Sequence, residues 1–272
     1  MAKVISFMNN KGGVGKTTSA YAVGLAWAKV GKRILFIDLD SQANLTSLLS
    51  NTDPMSVNWE LTIEDVFIDG DAGDLKSCIR HTDNPNIDFV PSDLDLSSFE
   101  VDTNRLQAVE FLLYDLLEPV KSEYDFVIVD CPPAIQKLTY NAMVASDYIV
   151  LVSSLDGKSY KGLQMMSELY NKVIHSKRLN PSLVLIGIIA TMYQHDKVNE
   201  IFWRMLKENF GPYVIEPHVR KSTVVNRANS FNTNFLETEP NSKVAQDYLL
   251  VAEELLVRVL DDMNRNAPAK KK

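Results

Sequence analysis

Short runs of apolar residues recur along the chain, and segments with a helical pattern separate them. The apolar runs lie at residues 4–8, 34–37, 126–129, 148–152 and 183–189. Because these runs are largely continuous instead of alternating with polar residues, they are typical of parallel strands that helices cover on both faces. Helical patterns lie at residues 17–30, 103–121, 162–175 and 243–263. The alternation predicts an α/β fold with a doubly wound, mainly parallel sheet and helices on both faces.

The stretch from Leu45 to Asp102 is less regular, since Asp, Asn, Gly and Ser interrupt its short apolar pieces. Its short apolar pieces include residues 62–67 and 87–91, and the stretch predicts a helical and loop excursion followed by a short strand. In the helix predicted at 103–121, apolar residues recur with i, i+3 and i+4 spacing, which indicates a face buried in the core. This apolar stripe consists of Leu106, Val109, Leu112, Leu113 and Leu116.

Length and composition favour one domain over residues 1–264, followed by a polar basic tail at 265–272, because 46% of the 272 residues are hydrophobic. No apolar run approaches the ~18 residues needed to span a bilayer, and the chain opens on a strand pattern instead of a signal peptide. We therefore expect a cytoplasmic protein. Cys78 and Cys131 lie far apart without metal-ligand spacing and are expected to be buried thiols.

A glycine-rich loop joins the first apolar run to the first helical pattern. Backbone N–H groups of such a loop turn toward one anion, and the N-terminus of the following helix adds partial positive charge. The order of strand, loop and helix predicts a nucleotide phosphate site, in which Lys16 reaches the β- and γ-phosphates and Thr17 gives its hydroxyl to magnesium. The predicted nucleotide-binding residues are Lys11, Gly12, Gly13, Val14, Gly15, Lys16, Thr17 and Thr18.

The loop departs from the common form, because Asn10 stands where that form has a glycine and an additional lysine, Lys11, follows it. The sequence Lys-Gly-Gly-x-Gly-Lys-Thr resembles the deviant Walker A loop of the ParA/MinD ATPases. The resemblance implies ATP and Mg²⁺ as cofactors and an ATPase with a low intrinsic rate. It also implies that Lys11 crosses a dimer interface to the partner's nucleotide, so Lys11 and Lys16 are catalytic candidates.

Two carboxylates, Asp38 and Asp40, follow the second apolar run. Ligands of open α/β sheets bind at the carboxyl ends of strands, so both side chains are expected to project toward the phosphate site. The segment resembles the family's first switch, although Ser41 replaces its proline. By this resemblance Asp40 orients the attacking water and Asp38 supports the magnesium shell. The alternative is that both carboxylates only cap the strand end.

A third carboxylate, Asp130, ends the apolar run at residues 126–129 and precedes Cys131-Pro132-Pro133. An acidic residue at this strand end can accept hydrogen bonds from magnesium-bound water and from Thr17. The run is therefore interpreted as a Walker B strand, and its flanks resemble the family's second switch. The predicted metal-site residues are Thr17, Asp38 and Asp130.

The second half of the chain carries the more plausible anion-binding face. The net charge is −7, and residues 60–125 contain seventeen acidic and four basic residues, whereas residues 196–227 contain six basic and four acidic ones. Residues 214–222 resemble the family's late strand and the segment after it, which contacts DNA phosphates non-specifically in relatives and lies away from the phosphate loop. The candidate DNA-binding residues are Arg220, Lys221, Arg227 and Lys197. A solvated basic face is the alternative.

Met192 falls where relatives have a Thr-Met-Tyr segment near the adenine, although hydrophobic packing explains a methionine equally well. Taken together, the resemblance implies a ParA/Soj-type partition ATPase. Such a protein dimerises with ATP, holds double-stranded DNA non-specifically on the nucleoid and is stimulated by a ParB-like centromere-binding partner. One alternative is a MinD-like or other positioning ATPase at a membrane or another cargo, although the residues after Leu260 are too polar for a lipid anchor. Another is a small-molecule enzyme of the same superfamily.

Overall fold

Seven strands form a single sheet in the computed structural model, which describes residues 1–50, 59–68, 74–103 and 107–266. The strands are β1 (Lys3–Met8), β2 (Ile34–Asp38), β3 (Arg80–His81), β4 (Ile87–Val90), β5 (Phe126–Asp130), β6 (Tyr148–Ser154) and β7 (Val184–Thr191). Their spatial order is β3-β4-β2-β5-β1-β6-β7, and every neighbouring pair is parallel except β3 with β4. The predicted mainly parallel α/β sheet is confirmed.

Helices connect the strands and cover the sheet. In the described part of the chain they are α1 (Lys16–Lys29), α2 (Asn44–Ser50), α3 (Ile63–Ile68), α4 (Leu75–Cys78), α5 (Phe99–Asp102), α6 (Leu112–Leu117), α7 (Lys137–Ala145), α8 (Gly157–Ile174), α9 (Lys197–Phe210), α10 (Thr223–Ser230), α11 (Phe235–Thr238) and α12 (Lys243–Arg265). Among them, none is both long and apolar enough to cross a bilayer.

Apolar residues of the parallel strands belong to two separate cores, one on each face of the sheet. In β2, Ile34 and Phe36 pack with α1 and α12, whereas Leu35 and Ile37 pack in the core that contains residues of α7 and α8. Side chains of a strand alternate between the two faces, so a strand covered on both sides is apolar at every position. This explains the continuous apolar runs of the sequence and confirms the doubly wound arrangement.

The sheet places the ends of strands that are far apart in sequence next to one another. β5 lies between β1 and β2, so Asp130 is paired with Phe7 on one side and with Asp38 on the other. The glycine-rich loop leaves β1 at the same edge, because neighbouring parallel strands end on the same side of a sheet. The loop and the carboxylates that end β2 and β5 therefore meet.

The prediction of a single helix at residues 103–121 is wrong. The chain forms α5, a 3₁₀ turn at Val109–Phe111 and then α6. Ala108 has a φ of 52°, a left-handed conformation that an uninterrupted helix of L-residues does not contain. The apolar stripe still packs as predicted, since Val109 and Leu113 are buried and Leu112 and Leu116 pack against the same core. Leu106 lies outside the described residues.

The late strand that the resemblance implied at the start of residues 214–222 does not form either. This segment runs beside β7 and makes two isolated bridges, from Val214 to Ile188 and from Arg220 to Tyr193. Pro217 lies between them and has no backbone N–H to donate, which prevents a continuous ladder. The predicted C-terminal helix is confirmed as α12, which continues to Arg265; residues 267–272 of the predicted tail lie outside the described residues. Cys78 and Cys131 are buried free thiols, as predicted.

Gly24 lets α1 approach the sheet closely, and we predict that Gly24→Ala destabilises the protein. A Cβ at this position would lie 2.1 Å from Cζ of the buried Phe36 ring and 3.0 Å from Cδ1 of Ile128. Overpacking of a core costs about 1–3 kcal/mol, which exceeds the roughly 1 kcal/mol that alanine gains over glycine in a helix. Urea unfolding measures the difference.

Gly157→Ala, at the first residue of α8, is the matched control. The added Cβ there meets only Cζ of Phe202 at 3.5 Å, an ordinary contact. We expect its free energy of unfolding to stay within about 0.5 kcal/mol of wild type or to exceed it. A Gly24→Ala variant as stable as this control would contradict the close packing of α1.

Candidate functional site

The loop between β1 and α1 presents backbone donors to a cavity. Gly13 and Gly15 have φ angles of 73° and 86°, which glycine adopts without strain. Gly15 caps α1 without any side-chain hydrogen bond, and the first turn of α1 contains no acidic residue. The N–H groups at this helix end thus remain available, and the helix dipole adds positive potential. The loop has the backbone conformation and charge of an anion site.

A cavity of about 540 Å³ opens over this loop. Three parts of the chain line it. The segment from the loop to α2 contributes Gly12, Gly13, Gly15, Lys16, Thr17, Thr18, Asp40, Gln42, Asn44 and Leu48, and the segment after β5 contributes Pro133. The later segments contribute Thr191, Met192, Val219, Arg220, Lys221, Ser222, Val225, Asn226, Asn229, Asn232 and Tyr248. Lys16 is buried, and its Nζ donates to the carbonyl oxygen of Lys11 at 3.3 Å. The volume suits a small-molecule ligand.

Thr17 and Asp130 are joined at the base of the cavity. The Thr17 hydroxyl donates to Oδ2 of Asp130 at 2.6 Å, while Oδ1 of Asp130 is buried without a hydrogen-bond partner in the described structure. Burial raises the pKa of Asp130 well above its usual range, and the neighbouring Asp38 raises it further, although Thr17 and Lys16 oppose the change. A buried carboxylate oxygen with no donor is a costly arrangement unless a cation or its water approaches it.

These residues fit Mg²⁺. Magnesium takes oxygen ligands, keeps several waters and is usually held by one or two protein groups together with phosphate oxygens. The Thr17 hydroxyl and the unpartnered Asp130 oxygen supply such a set beside the phosphate loop. When bound, the cation would neutralise negative charge on the phosphates and on Asp130.

Asp38 and Asp40 take different positions. Asp40 lines the cavity, and its Oδ1 accepts from the backbone N–H of Gln42 at 3.1 Å. Asp38 lies behind it: one oxygen accepts from the N–H of Asp40 at 3.1 Å, and the other from the N–H and hydroxyl of Thr46 at 2.8 and 2.9 Å. Burial raises the pKa of Asp38 to about 7, despite these hydrogen bonds. The expectation that both carboxylates project into the cavity holds for Asp40, whereas Asp38 anchors the start of α2.

Lys11 points away from the cavity of its own chain. Its Nζ lies 3.0 and 3.1 Å from the two carboxylate oxygens of Asp156 and 2.9 Å from the Ser159 hydroxyl. Asp156 also caps α8 by accepting from the N–H groups of Lys158 and Ser159. Burial raises the pKa of Asp156, but hydrogen bonds from Ser159, Ser154 and Lys11 outweigh burial and hold that pKa well below its ordinary value. In this conformation the additional lysine is held by α8.

The end of β7 forms the other side of the cavity. The Thr191 hydroxyl donates to the carbonyl oxygen of Val14 at 2.7 Å, which ties β7 to the phosphate loop. Met192, the predicted adenine-side residue, lines the cavity with a φ of 55° and remains partly exposed. Tyr248 of α12 also reaches the cavity, and its hydroxyl lies 3.8 Å from where a Cβ on Gly15 would be.

The predicted basic residues do not form one free patch. Nε and Nη2 of Arg220 donate to Asp247 on α12 at 2.6 and 2.8 Å, and Arg227 forms an ion pair with Glu239. Arg220 and Lys221 line the same cavity as Gly12 and Lys16, so the expectation that this segment lies away from the phosphate loop is wrong. The bridge between Tyr193 and Arg220 accounts for this, because it holds the segment against the end of β7. Lys197 is exposed at the start of α9.

Several residues around the cavity were not predicted. Asp156 and Tyr248 carry no local sequence motif, and only the packing of α8 and α12 brings them to the loop. Asn226 and Asn229 are three residues apart in a helical segment, so their common face was readable, but its direction was not.

Most of the chain is similar to a protein-family model and to proteins with known names. The family model that matches the chain is described as an AAA domain, and it covers residues 2–185. The chain is 33% identical to the sporulation initiation inhibitor protein Soj of Bacillus subtilis, covering 94% of this chain and 98% of Soj. It is 31% identical to the chromosome partitioning protein ParA of Caulobacter vibrioides, covering 95% and 96%.

Two solved structures have the same architecture. Cobyrinic acid a,c-diamide synthase of Mycobacterium smegmatis, with bound ADP and magnesium, is 25% identical with a TM-score of 0.81, covering 96% of this chain and 97% of that one. A plasmid partition protein of Borrelia burgdorferi, described as putative and bound to AMPPNP, is 25% identical with a TM-score of 0.79, covering 96% and 100%.

Asp130→Asn is predicted to stabilise the protein in the absence of nucleotide and magnesium. Burial disfavours the ionised carboxylate, and the amide removes that charge while it keeps an oxygen for Thr17. Because the folded-state pKa of Asp130 is raised, the unfolded carboxyl ionises at lower pH and wild type loses stability as pH rises. The advantage of the variant should therefore grow from pH 5 to pH 8, as measured by urea unfolding.

The exposed Asp83→Asn provides the charge-matched control, for which we expect little change. Adding magnesium and a non-hydrolysable nucleotide should stabilise wild type more than Asp130→Asn, because a ligand stabilises only the form that binds it. A stability difference that does not depend on pH would argue against a buried, strained carboxylate.

Proposed function

Because the chain belongs to the ParA and Soj family of P-loop ATPases, we propose that it is a partition ATPase that dimerises on ATP, holds DNA non-specifically and hydrolyses ATP when a ParB-like partner stimulates it. One observation carries the proposal: the glycines of the phosphate loop, Lys16, Thr17 and Asp40 line one cavity, and Thr17 is hydrogen-bonded to Asp130. The 33% and 31% identities to Soj and ParA over nearly the whole chain support the partition role.

The residues divide the work of phosphoryl transfer between them. Loop N–H groups and Lys16 bind the β- and γ-phosphates, and Thr17 and Asp130 hold the site of Mg²⁺. Asp40, at the cavity wall, orients the attacking water, and Asp38 fixes the backbone of this switch segment by accepting from Asp40 and Thr46. The cation supplies charge neutralisation when bound. Each step therefore depends on positioning and electrostatics.

The pairing of Lys11 offers an explanation for the low intrinsic rate that we propose. Its ammonium group is paired with Asp156 of the same chain and contributes nothing to the cavity there. We propose that in the ATP-bound dimer Lys11 leaves Asp156 and reaches the partner's nucleotide, where it stabilises negative charge that develops in the transition state. The isolated protomer lacks this cation and turns over slowly.

DNA binding is proposed for the face formed by α9 and the segment after Val219. Arg220 and Arg227 are already paired with carboxylates, so phosphate contact by either residue costs an existing ion pair. Lys197 and Arg204 are exposed, lie seven residues apart on α9 and so share one side of that helix. Lys221 lies on a neighbouring segment, since its N–H donates to the carbonyl oxygen of Tyr193 at 3.0 Å. Few cations per protomer favour binding by a dimer on the nucleoid.

The second candidate is a positioning ATPase of the same family that acts at a membrane or on a cargo other than DNA. Sedimentation of the ATP-bound protein with DNA and with anionic lipid vesicles separates the two. Retention on DNA alone supports partition, and retention on vesicles alone supports the alternative.

Lys16→Ala and Asp40→Ala are predicted to fail at different steps. Lys16→Ala should weaken ATP binding at least about 100-fold, because the β- and γ-phosphates lose a buried, charge-assisted partner. Asp40→Ala should bind ATP and dimerise but hydrolyse it at least about tenfold more slowly, because the water is no longer oriented. Nucleotide titration, sizing and phosphate release measure the three properties.

The exposed Lys29→Ala, at the end of α1, controls for loss of a lysine from the same helix and should leave all three properties unchanged. Wild-type turnover by Asp40→Ala would exclude Asp40 as the residue that orients water. Wild-type affinity in Lys16→Ala would refute the assignment of the phosphate loop.

For DNA, the double charge reversal Lys197→Glu/Arg204→Glu is predicted to reduce binding of the ATP-bound protein at least about tenfold at 100 mM salt and to flatten its salt dependence, because phosphate contacts are lost. ATP affinity should stay unchanged, since neither residue lines the cavity. Electrophoretic mobility shifts with unrelated duplexes, with and without ATP, measure both effects.

Lys172→Glu/Lys177→Glu makes the same charge change on exposed lysines of α8 and the turn after it. If both double variants weaken DNA binding equally, the loss comes from net charge and the α9 face is refuted as the contact surface. If neither does, the chain binds DNA through another surface or not at all.

A further inference from the structure

Thr191, the last residue of β7, is joined to the phosphate loop by one buried hydrogen bond. Its hydroxyl donates to the carbonyl oxygen of Val14 at 2.7 Å, and both residues are buried. The methyl group of Thr191 lies beside the loop as well, since Cγ2 is 3.8 Å from where a Cβ on Gly15 would be. A buried carbonyl oxygen needs a hydrogen-bond donor, and Thr191 supplies it from a strand that is 177 residues away in sequence.

The end of β7 holds Thr191 in a fixed position. Its register partner on β6 is Ser154, and the carbonyl oxygen of the preceding Ala190 accepts from the N–H of Val219 at 2.8 Å. Met192 then turns the chain out of the strand with a φ of 55°. A β-branched side chain also has a restricted χ1 angle. The backbone and the side chain together therefore fix where the Thr191 hydroxyl points.

The peptide unit between Val14 and Gly15 needs such a fixed partner. Glycine populates positive and negative φ angles about equally, so Gly15 offers little resistance to a rotation that would exchange the sides of the carbonyl oxygen and the N–H. Its φ is 86°, and its N–H has no hydrogen-bond partner among the described residues. In a planar trans peptide, the C=O and the following N–H point in opposite directions. While the Val14 carbonyl is held toward β7, the Gly15 N–H points away from β7.

We propose that Thr191 is a positioning residue of the phosphate site, which holds the Val14 carbonyl outward so that the Gly15 N–H donates to a phosphate oxygen of the nucleotide. This inference rests on the proposed ATP-binding function. Gly15 lines the cavity and directly precedes α1, whose N-terminus attracts the same anion. A rotated peptide would remove one donor and would turn the negative end of a carbonyl dipole toward the phosphates. Glycine thus permits the shape of the loop, and Thr191 selects the orientation that binds an anion.

Two substitutions separate the hydroxyl from the rest of the side chain. Thr191→Val keeps the shape of the side chain and removes the donor, whereas Thr191→Ser keeps the donor. We expect Thr191→Val to bind ADP and ATP, each with magnesium, at least about tenfold more weakly than wild type, which is the size of one hydrogen bond to a charged group. Thr191→Ser should stay within about threefold of wild type, because its hydroxyl can still hold the carbonyl. Nucleotide titration measures these affinities.

Thr103→Val is the matched control, because the buried Thr103 hydroxyl also donates to a backbone carbonyl, that of Phe99, but lies outside the cavity lining. It should keep the wild-type affinity, and urea unfolding without nucleotide verifies that each variant is folded. The Gly15 amide of wild type gives a readout that needs no variant. Its proton resonance in NMR spectra should move downfield when ADP and magnesium are added, because the N–H then donates to an anion. Should Thr191→Val fail to fold, this resonance decides.

Three results would overturn the inference and leave the ATPase assignment intact: wild-type affinity in Thr191→Val, an equal loss of affinity in Thr191→Ser, or a Gly15 resonance that ADP does not move. A loss of the same size in Thr103→Val would also overturn it, because general destabilisation would then explain the effect. If wild type binds neither ADP nor ATP, the proposed function fails and the inference fails with it.

Discussion

The hydrogen bond from the Thr17 hydroxyl joins the phosphate loop to Asp130 at the end of β5, a carboxyl group that water does not reach. Asp130 is fully buried and lies opposite Asp38 in the sheet, so its charge is unfavourable until a cation arrives. Such a site is destabilising without its ligand and preorganised for it, which is the usual cost of a functional cluster of carboxylates. The strands of the parallel sheet are buried on both faces, and this packing offsets the free energy that the buried carboxyl group costs.

The same edge of the sheet gathers elements that are distant in sequence. Thr191 ties β7 to the phosphate loop, and Asp156 of α8 holds Lys11. Asp247 of α12 holds Arg220 at the wall of the cavity. The phosphate loop, Lys11 and Arg220 are thus each held by a different element, β7, α8 and α12 respectively.

Basic side chains occupy particular places in this protein although its net charge is negative. The net charge is −7, yet Lys16 and Arg220 line one cavity, and Lys197 is exposed at the start of α9. Each cation has a different situation: Lys16 is buried over the loop, Arg220 is paired with a buried carboxylate, and Lys197 is solvated. The free energy needed to bring each of these three side chains to a new ligand therefore differs, although all three carry the same charge. Exposure and pairing, more than the number of basic residues, determine which of these side chains is available to a new anionic ligand.

The sequence by itself determined the features that depend on local pattern. Continuous apolar runs predicted buried parallel strands, the glycines at 13 and 15 predicted the phosphate loop, and the carboxylates after strands predicted where ligands bind. Only the tertiary structure decided the features that depend on contacts between distant segments. It turned Asp38 toward Thr46, paired Lys11 with Asp156 across 145 residues, and broke the helix predicted at 103–121 at Ala108. A side chain's partner is set by packing, and local periodicity contains no information about which distant helix will lie beside it.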